Sequence, residues 1–121
     1  MNFKTITFYL TTLLIVLISL MAGFNNIMRT EMAVQNMQAI HLPIYMATIL
    51  GAGKILGVIG IIQRVNPKLN DLAYAGFLFL FLGAVASHLL NGDDFTHVIV
   101  PAVFVVLTII SYKLKDARAK L

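Results

Sequence analysis

The chain has no cysteine. A disulfide framework, thiol redox catalysis, iron–sulfur clusters and thiolate metal sites are therefore excluded. Charge is also scarce. Only 12% of the 121 residues are Asp, Glu, Lys or Arg, against ~25% in an ordinary soluble domain. There is no internal repeat, no low-complexity segment, no Ser-His-Asp arrangement with an identifiable nucleophile elbow and no pair of carboxylates inside an apolar run, so nothing in the chain specifies a reaction. What is present is apolar: 60% of the residues are hydrophobic, with a mean hydropathy of +0.90. A chain this short cannot enclose that much apolar surface within itself. Lipid is the solvent it implies, and one transmembrane domain over residues 1–121 is expected.

A crossing of the bilayer takes ~20 mostly apolar residues, and four stretches qualify, at about 5–24, 43–63, 72–90 and 95–113. The first, from Thr5 to Phe24, carries no charge. It exceeds the 7–15-residue apolar core of a cleaved signal peptide, and Leu20 is bulky where a cleavage site wants a small residue, so it is read as a retained span. Pro101 falls in the early turns of the fourth, where amides lack intrahelical partners. Between the first two spans, residues 30–41 place Ala33, Val34, Met37 and Ile40 at helical spacing, with Thr30 as N-cap. This segment is read as a short amphipathic helix on the outer face, a structured loop being the alternative. Tyr45, Tyr74 and Tyr112 fall near span ends, where aromatic belts form.

The connections sort the charges. Lys4, Arg64, Lys68, Lys113, Lys115, Arg118 and Lys120 fall on one side, and Arg29 alone on the other. Lys and Arg collect on the cytoplasmic side. The formal net charge of +4 thus reads as membrane orientation, with no nucleic-acid partner. The fold class expected is all-α: a membrane four-helix bundle, up-and-down, with both termini cytoplasmic. Localisation in the bacterial cytoplasmic (inner) membrane, as a multi-pass protein, goes with it.

One charge stands inside a span. Lys54 lies in "LGAGKILGVIG", which fits neither phosphate-binding pattern. Thr48 and Ile55 break the P-loop consensus, and Leu56 breaks the dinucleotide fingerprint. The glycines suit close helix packing instead: Gly53, Gly57 and Gly60 form one small stripe, and Gly76, Gly83 and Ser87 a second on the next span. Packing of the two stripes against each other is expected. Lys54 sits eleven residues past Pro43, ~16 Å along a helix and near the bilayer midplane. A central lysine costs ~2.5–3.5 kcal/mol on the insertion scale, while the nine Leu, Ile and Val from Ile44 to Ile62 return roughly 3–5 kcal/mol. With so thin a margin, the ammonium belongs inside the protein, beside an acid or in a polar cavity. Glu31, Asp93 and Asp94 are the candidate acids, with Asn25, Asn26 and His88 as neutral helpers. The expected binding residues are Lys54, Glu31, His88, Asn25 and Asp93, lining a polar pocket open to the outer side. The plainer alternative is a buried ion pair or water site that only fixes helix register. His88, Asp93, Asp94 and His97 carry metal-ligating atoms, but their spacing matches no tight zinc pattern and the aspartates suit a turn begun by Asn91-Gly92. No metal is assigned, and the cofactor is unknown.

Pro43 and Tyr45, Leu50-Gly51 with Lys54 and Leu56-Gly57, Pro67, Ala73-Tyr74-Ala75-Gly76-Phe77, Gly83-Ala84, Ser87-His88, Gly92-Asp93 and Ser111-Tyr112 together resemble the DoxX-like family of small bacterial membrane proteins, over nearly the whole chain. The resemblance implies a four-helix integral membrane protein, mostly of unassigned activity. The wider family includes a subunit of a thiosulfate:quinone oxidoreductase, and distant relatives are linked to redox stress or to assembly of membrane complexes. Residues and resemblance together leave three readings: an accessory component that binds a lipid-soluble or anionic ligand, or a partner subunit, around Lys54, Glu31 and His88; a quinone-linked subunit in which Lys54 and His88 bond quinone oxygens; or a scaffold. Its partners would be the lipid bilayer, a quinone or other lipid-soluble ligand, and a partner membrane subunit. Without cysteine or a haem ligand pair, a redox role would need that subunit or a bound quinone. The resemblance supplies no catalytic residue.

Overall fold

The computed structural model describes residues 2–117. Arg118 and Lys120, two of the basic residues used to orient the chain, lie outside the described residues. The described residues form five α-helices and no strand: α1 (Phe3–Met28), α2 (Glu31–Ala39), α3 (Tyr45–Ile62), α4 (Pro67–Leu90) and α5 (Phe95–Leu114), followed by a 3₁₀ turn at Lys115–Ala117. All but α2 are long and apolar enough to cross a membrane.

Caps, rather than loss of hydropathy, set the helix ends. The first apolar run stops near Phe24, yet α1 continues to Met28. Beyond it Arg29 takes a left-handed φ of 51°. The Arg29 amide bonds the Asn26 carbonyl at 3.2 Å and the Thr30 amide bonds the Asn25 carbonyl at 3.1 Å. This is a Schellman cap. It recurs after α2, at His41 with φ 60°, and after α4, at Gly92 with φ 74°. Glycine adopts that conformation freely. Arg29 and His41 do so at a strain of ~1–3 kcal/mol each.

The starts of α2 and α4 follow the same logic. Thr30 caps α2, its hydroxyl accepting from the Ala33 amide at 3.3 Å. The apolar run of the third span begins at Leu72, but α4 begins five residues earlier. The Asn66 side chain accepts from the Lys68 and Leu69 amides at 3.0 and 3.2 Å, and Pro67 takes the first helical position, where its missing N–H costs nothing. Gln63 closes the turn before it, accepting from the Val65 and Asn66 amides and donating to the Gly60 and Asn66 carbonyls. With α4 starting there, Tyr74 is two turns inside the helix and only 3% exposed. It is a core residue, not part of an aromatic belt. Pro101 is likewise deeper than expected. It is the seventh residue of α5, past the partnerless first turn, and it removes the usual donor to the His97 carbonyl.

Two compact units divide the chain, and both α1 and α4 contribute to each. One gathers the residues up to Leu17 with those from Leu78 onward. Its buried side chains include Phe8, Thr11, Ile15, Val98, Thr108 and Ser111. Across α1 and α5, Thr12 Oγ1 and Ser111 Oγ share a 2.6 Å hydrogen bond, and Phe81 meets Phe104 at 5.3 Å between ring centroids. Interhelical hydrogen bonds of this kind average ~0.6 kcal/mol in lipid. Thr11 and Thr108 turn their hydroxyls back onto carbonyls of their own helices, so each polar group is spent before it could meet lipid.

The other unit is Ile18–Phe77. Its core comes from Ser19, Gly23 and Asn26 of α1, Ala33 and Met37 of α2, Ala47, Gly51, Val58 and Ile61 of α3, and Tyr74 and Phe77 of α4. A close backbone approach joins Gly23 to Gly51. A Cβ built on Gly51 would stand 2.7 Å from the Gly23 carbonyl oxygen, 2.8 Å from Ile27 Cγ1 and 2.9 Å from Asn26 Cβ. The expected pairing of two small-residue stripes is corrected here. Gly57 receives the ring of Phe77 and Gly60 receives Ala73, whereas a Cβ on Gly53, Gly76 or Gly83 would meet nothing within 4 Å. Phe77 and Ala73 of α4 fill these two notches of α3, and Gly76 and Gly83 take no part.

Gly51→Ala is therefore expected to destabilise by ~1–3 kcal/mol, because the added methyl meets backbone that cannot swing aside. Gly53→Ala should be neutral or stabilising by up to ~1 kcal/mol, since an open helical site gains from alanine. Reversible unfolding in mixed micelles measures both. Equal effects would contradict the Gly23–Gly51 contact.

Candidate functional site

The inner seam of α3 is regular. Ala47, Gly51, Val58 and Ile61 are buried at intervals of 4, 7 and 3 residues, while Leu56 and Ile59 are 68% and 56% exposed. Lys54 falls in the middle of that series, three residues after Gly51 and four before Val58. It therefore lies on the protein-facing stripe and is half-buried. A Cβ on Gly23 would be 3.5 Å from Lys54 Cβ and 3.1 Å from Ile55 Cγ1. The root of the lysine thus packs on α1 at its barest point.

Three contacts connect α1 to α3 in sequence. Gly23 meets Lys54 and Ile55, Asn26 meets Gly51, and Arg29 Nε donates to Thr48 Oγ1 at 3.2 Å. Residues later in α1 meet residues earlier in α3, so these polar groups form successive rungs of one seam. Asn26 is only 6% exposed, and its Nδ2 has no hydrogen-bond partner among the described residues. Leaving such a donor unpaired costs ~1–3 kcal/mol. Lys54 makes no ion pair or hydrogen bond with any described residue.

The expected Glu31–Lys54 pair is accordingly not formed. Glu31 is exposed and stands in the first turn of α2, where a carboxylate complements the free amides of the helix start. Asn25 is half-buried and gives its carbonyl to the Thr30 amide. The deeper asparagine is Asn26. Arg29 was visible in the sequence only as the one basic residue on the outer side. Its left-handed backbone and its bond to Thr48 give that exception a place on the seam.

His88 and Asp93 belong to the other unit, and each satisfies the other. His88 Nδ1 donates to Asp93 Oδ2 at 2.7 Å, Asn91 Nδ2 donates to Asp93 Oδ1 at 2.8 Å, and the rings of His88 and His97 stack at 5.6 Å. Chain reversal at Gly92 and the Asp93 amide bond to the His88 carbonyl at 3.0 Å create this clasp. The hydrogen bond from His88 holds the Asp93 carboxyl below the usual carboxylate range. Partial burial opposes it, while the Asn91 bond and the fields of His88 and His97 add to it. Among the described residues no cluster of three His, Asp or Glu side chains is placed to hold a metal ion.

Four long apolar helices and polar groups gathered along inner seams define a small multi-pass membrane protein of the α-helical class. The chain belongs to the DoxX-like family, whose model matches residues 10–111. No curated protein and no solved structure matches it.

The Asp93 shift fixes the sign of a pH effect. A carboxyl with a depressed folded-state pKa contributes stability that is present above the unfolded value of ~3.9 and is lost as pH falls through the lower, folded value. Protection of the Gly92 and Asp93 amides, corrected for intrinsic exchange, should therefore collapse only below the ordinary carboxylate range. In Asp93→Asn it should already be weak and show no such step. Hydrogen exchange by NMR measures both. A wild-type step at or above the ordinary range would contradict the clasp.

Proposed function

We propose that the chain is an accessory, ligand-binding component of the bacterial cytoplasmic membrane. It would cross the bilayer four times in an up-and-down bundle with both termini cytoplasmic, and bind its ligand in a polar site reached from the outer side. The distribution of basic residues supports the orientation. The observation that carries the binding reading is Lys54, held in the middle of α3 on the buried stripe with no carboxylate beside it. An ammonium kept at that depth and left unpaired is expensive, and intramembrane ionisable residues mark ligand or ion sites. A lysine kept for helix register alone would be better served by an acid on the neighbouring helix.

The site residues proposed are Lys54 with Asn26, Asn25 and Glu31 around the outer end of the α1–α3 seam. His88 and Asp93 act in a separate role, closing the α4–α5 connection. Two features suit this reading over a scaffold. Arg29 holds a strained backbone that glycine would hold without cost, and Asn26 keeps a buried amide where leucine would be cheaper.

The test is purification from the native membrane in mild detergent, followed by mass spectrometry of bound small molecules and proteins, for the wild type and Lys54→Met. A stoichiometric small molecule in the wild type, lost at least tenfold in a Lys54→Met protein that inserts and folds normally, is the expected result. A stoichiometric quinone would move the assignment to a quinone-linked oxidoreductase subunit. A constant protein partner with no small molecule, unaffected by Lys54→Met, would make the chain a scaffold.

A further inference from the structure

Three groups along the α1–α3 seam offer donors, while the Thr48 hydroxyl accepts from one of them. Lys54 offers an ammonium, Asn26 an orphaned amide N–H and Arg29 a guanidinium that spends one N–H on Thr48. Glu31, the expected partner, is exposed at the start of α2 and pairs with neither cation. Neither Lys54 nor Arg29 therefore has a carboxylate paired with it among the described residues. Ile27 and Ile55 flank it, their Cγ1 atoms 2.8 and 3.1 Å from Cβ positions built on Gly51 and Gly23.

We propose that this seam binds a singly charged oxyanion, a carboxylate or a phosphodiester oxygen, with Lys54 as counter-ion and the Asn26 amide as a second donor. This rests on the binding reading above and names the ligand's chemistry. A neutral carbonyl could accept the hydrogen bonds but would leave the charge of the half-buried lysine uncompensated. An anion supplies both the acceptors and the charge, and a charge-assisted bond is roughly twice as strong as a neutral one. Arg29 stands one turn outward from Asn26, at the end of the seam where an anion would enter from the outer side. Its left-handed backbone is the strained position of this end of α1. The apolar flanks suit an anion carried on a hydrocarbon tail, so the lipid-borne source is the one expected.

The experiment uses the full chain in neutral maltoside micelles, with the fluorescent long-chain acid cis-parinaric acid as the probe and its methyl ester as the uncharged control. The acid should bind at one per chain and the ester at least tenfold more weakly. Lys54→Met should weaken the acid at least tenfold, and Lys54→Arg, which keeps the charge, should retain most of the affinity and shows that any loss in Lys54→Met is not misfolding. Asn26→Leu should weaken binding several-fold while leaving thermal stability equal or higher, a split that a purely structural asparagine would not give. Competition by inorganic phosphate or acetate at concentrations matching the probe supports the same oxyanion chemistry and assigns it to a soluble source. Its absence assigns it to lipid. Equal binding of acid and ester, or binding unchanged in Lys54→Met, overturns the oxyanion assignment. In that case a native small molecule still lost in Lys54→Met keeps the binding reading and makes its ligand neutral. If no molecule depends on Lys54, both fail.

Discussion

The account depends on one close approach. Gly23 and Gly51 bring the backbones of α1 and α3 together so tightly that neither position has room for a methyl group without displacement. In lipid there is no hydrophobic drive between helices, and close van der Waals packing is what holds them. That contact decides what surrounds Lys54. Without it the lysine would be one polar residue on an apolar helix, free to reach toward the interface. With it, the root of the lysine packs against a neighbouring helix, one turn from a buried asparagine amide.

The polar content of the two units contrasts. In the unit containing α5, each buried hydroxyl is spent, across helices at Thr12–Ser111 or back onto the same helix at Thr11 and Thr108, and the His88–Asp93 clasp is closed on itself. In the Ile18–Phe77 unit, Lys54 and the Asn26 amide have no partner among the described residues. A membrane protein rarely leaves polar groups unsatisfied at depth. Their concentration on one seam, beside a strained Arg29, is where consistency between local and global preference breaks down, and such breaks mark function.

Most of the fold was legible in the sequence because lipid imposes a length rule. Four apolar runs gave four long helices, and Thr30 announced α2. The ends were less legible because hydropathy does not set them. The Schellman cap at Arg29 carries α1 past Phe24, and the Asn66–Pro67 pair starts α4 before its apolar run. Helix pairing was least legible. Where every face of a helix is apolar, periodicity no longer says which face meets a neighbour. The Gly53–Gly57–Gly60 stripe was visible, but Gly51 makes the backbone contact with α1, and Phe77 and Ala73, rather than Gly76 and Gly83, fill the notches at Gly57 and Gly60. Lys54 was legible as an anomaly. Its expected partner Glu31 was not, because nothing in the sequence shows that a residue in the first turn of α2 is held at the surface by the helix it starts.

The central claim is that the Lys54 position is sheltered by protein. It is tested most directly in the unmutated protein, uniformly ¹⁵N-labelled in bicelles, by measuring amide relaxation caused by phosphatidylcholine carrying a nitroxide at the tail end. Gly51, Lys54 and Val58 should be protected together, while Leu56 and Ile59, at similar depth on the exposed face, should broaden strongly. Broadening at Lys54 equal to that at Leu56 would place the lysine in the acyl chains and contradict the account.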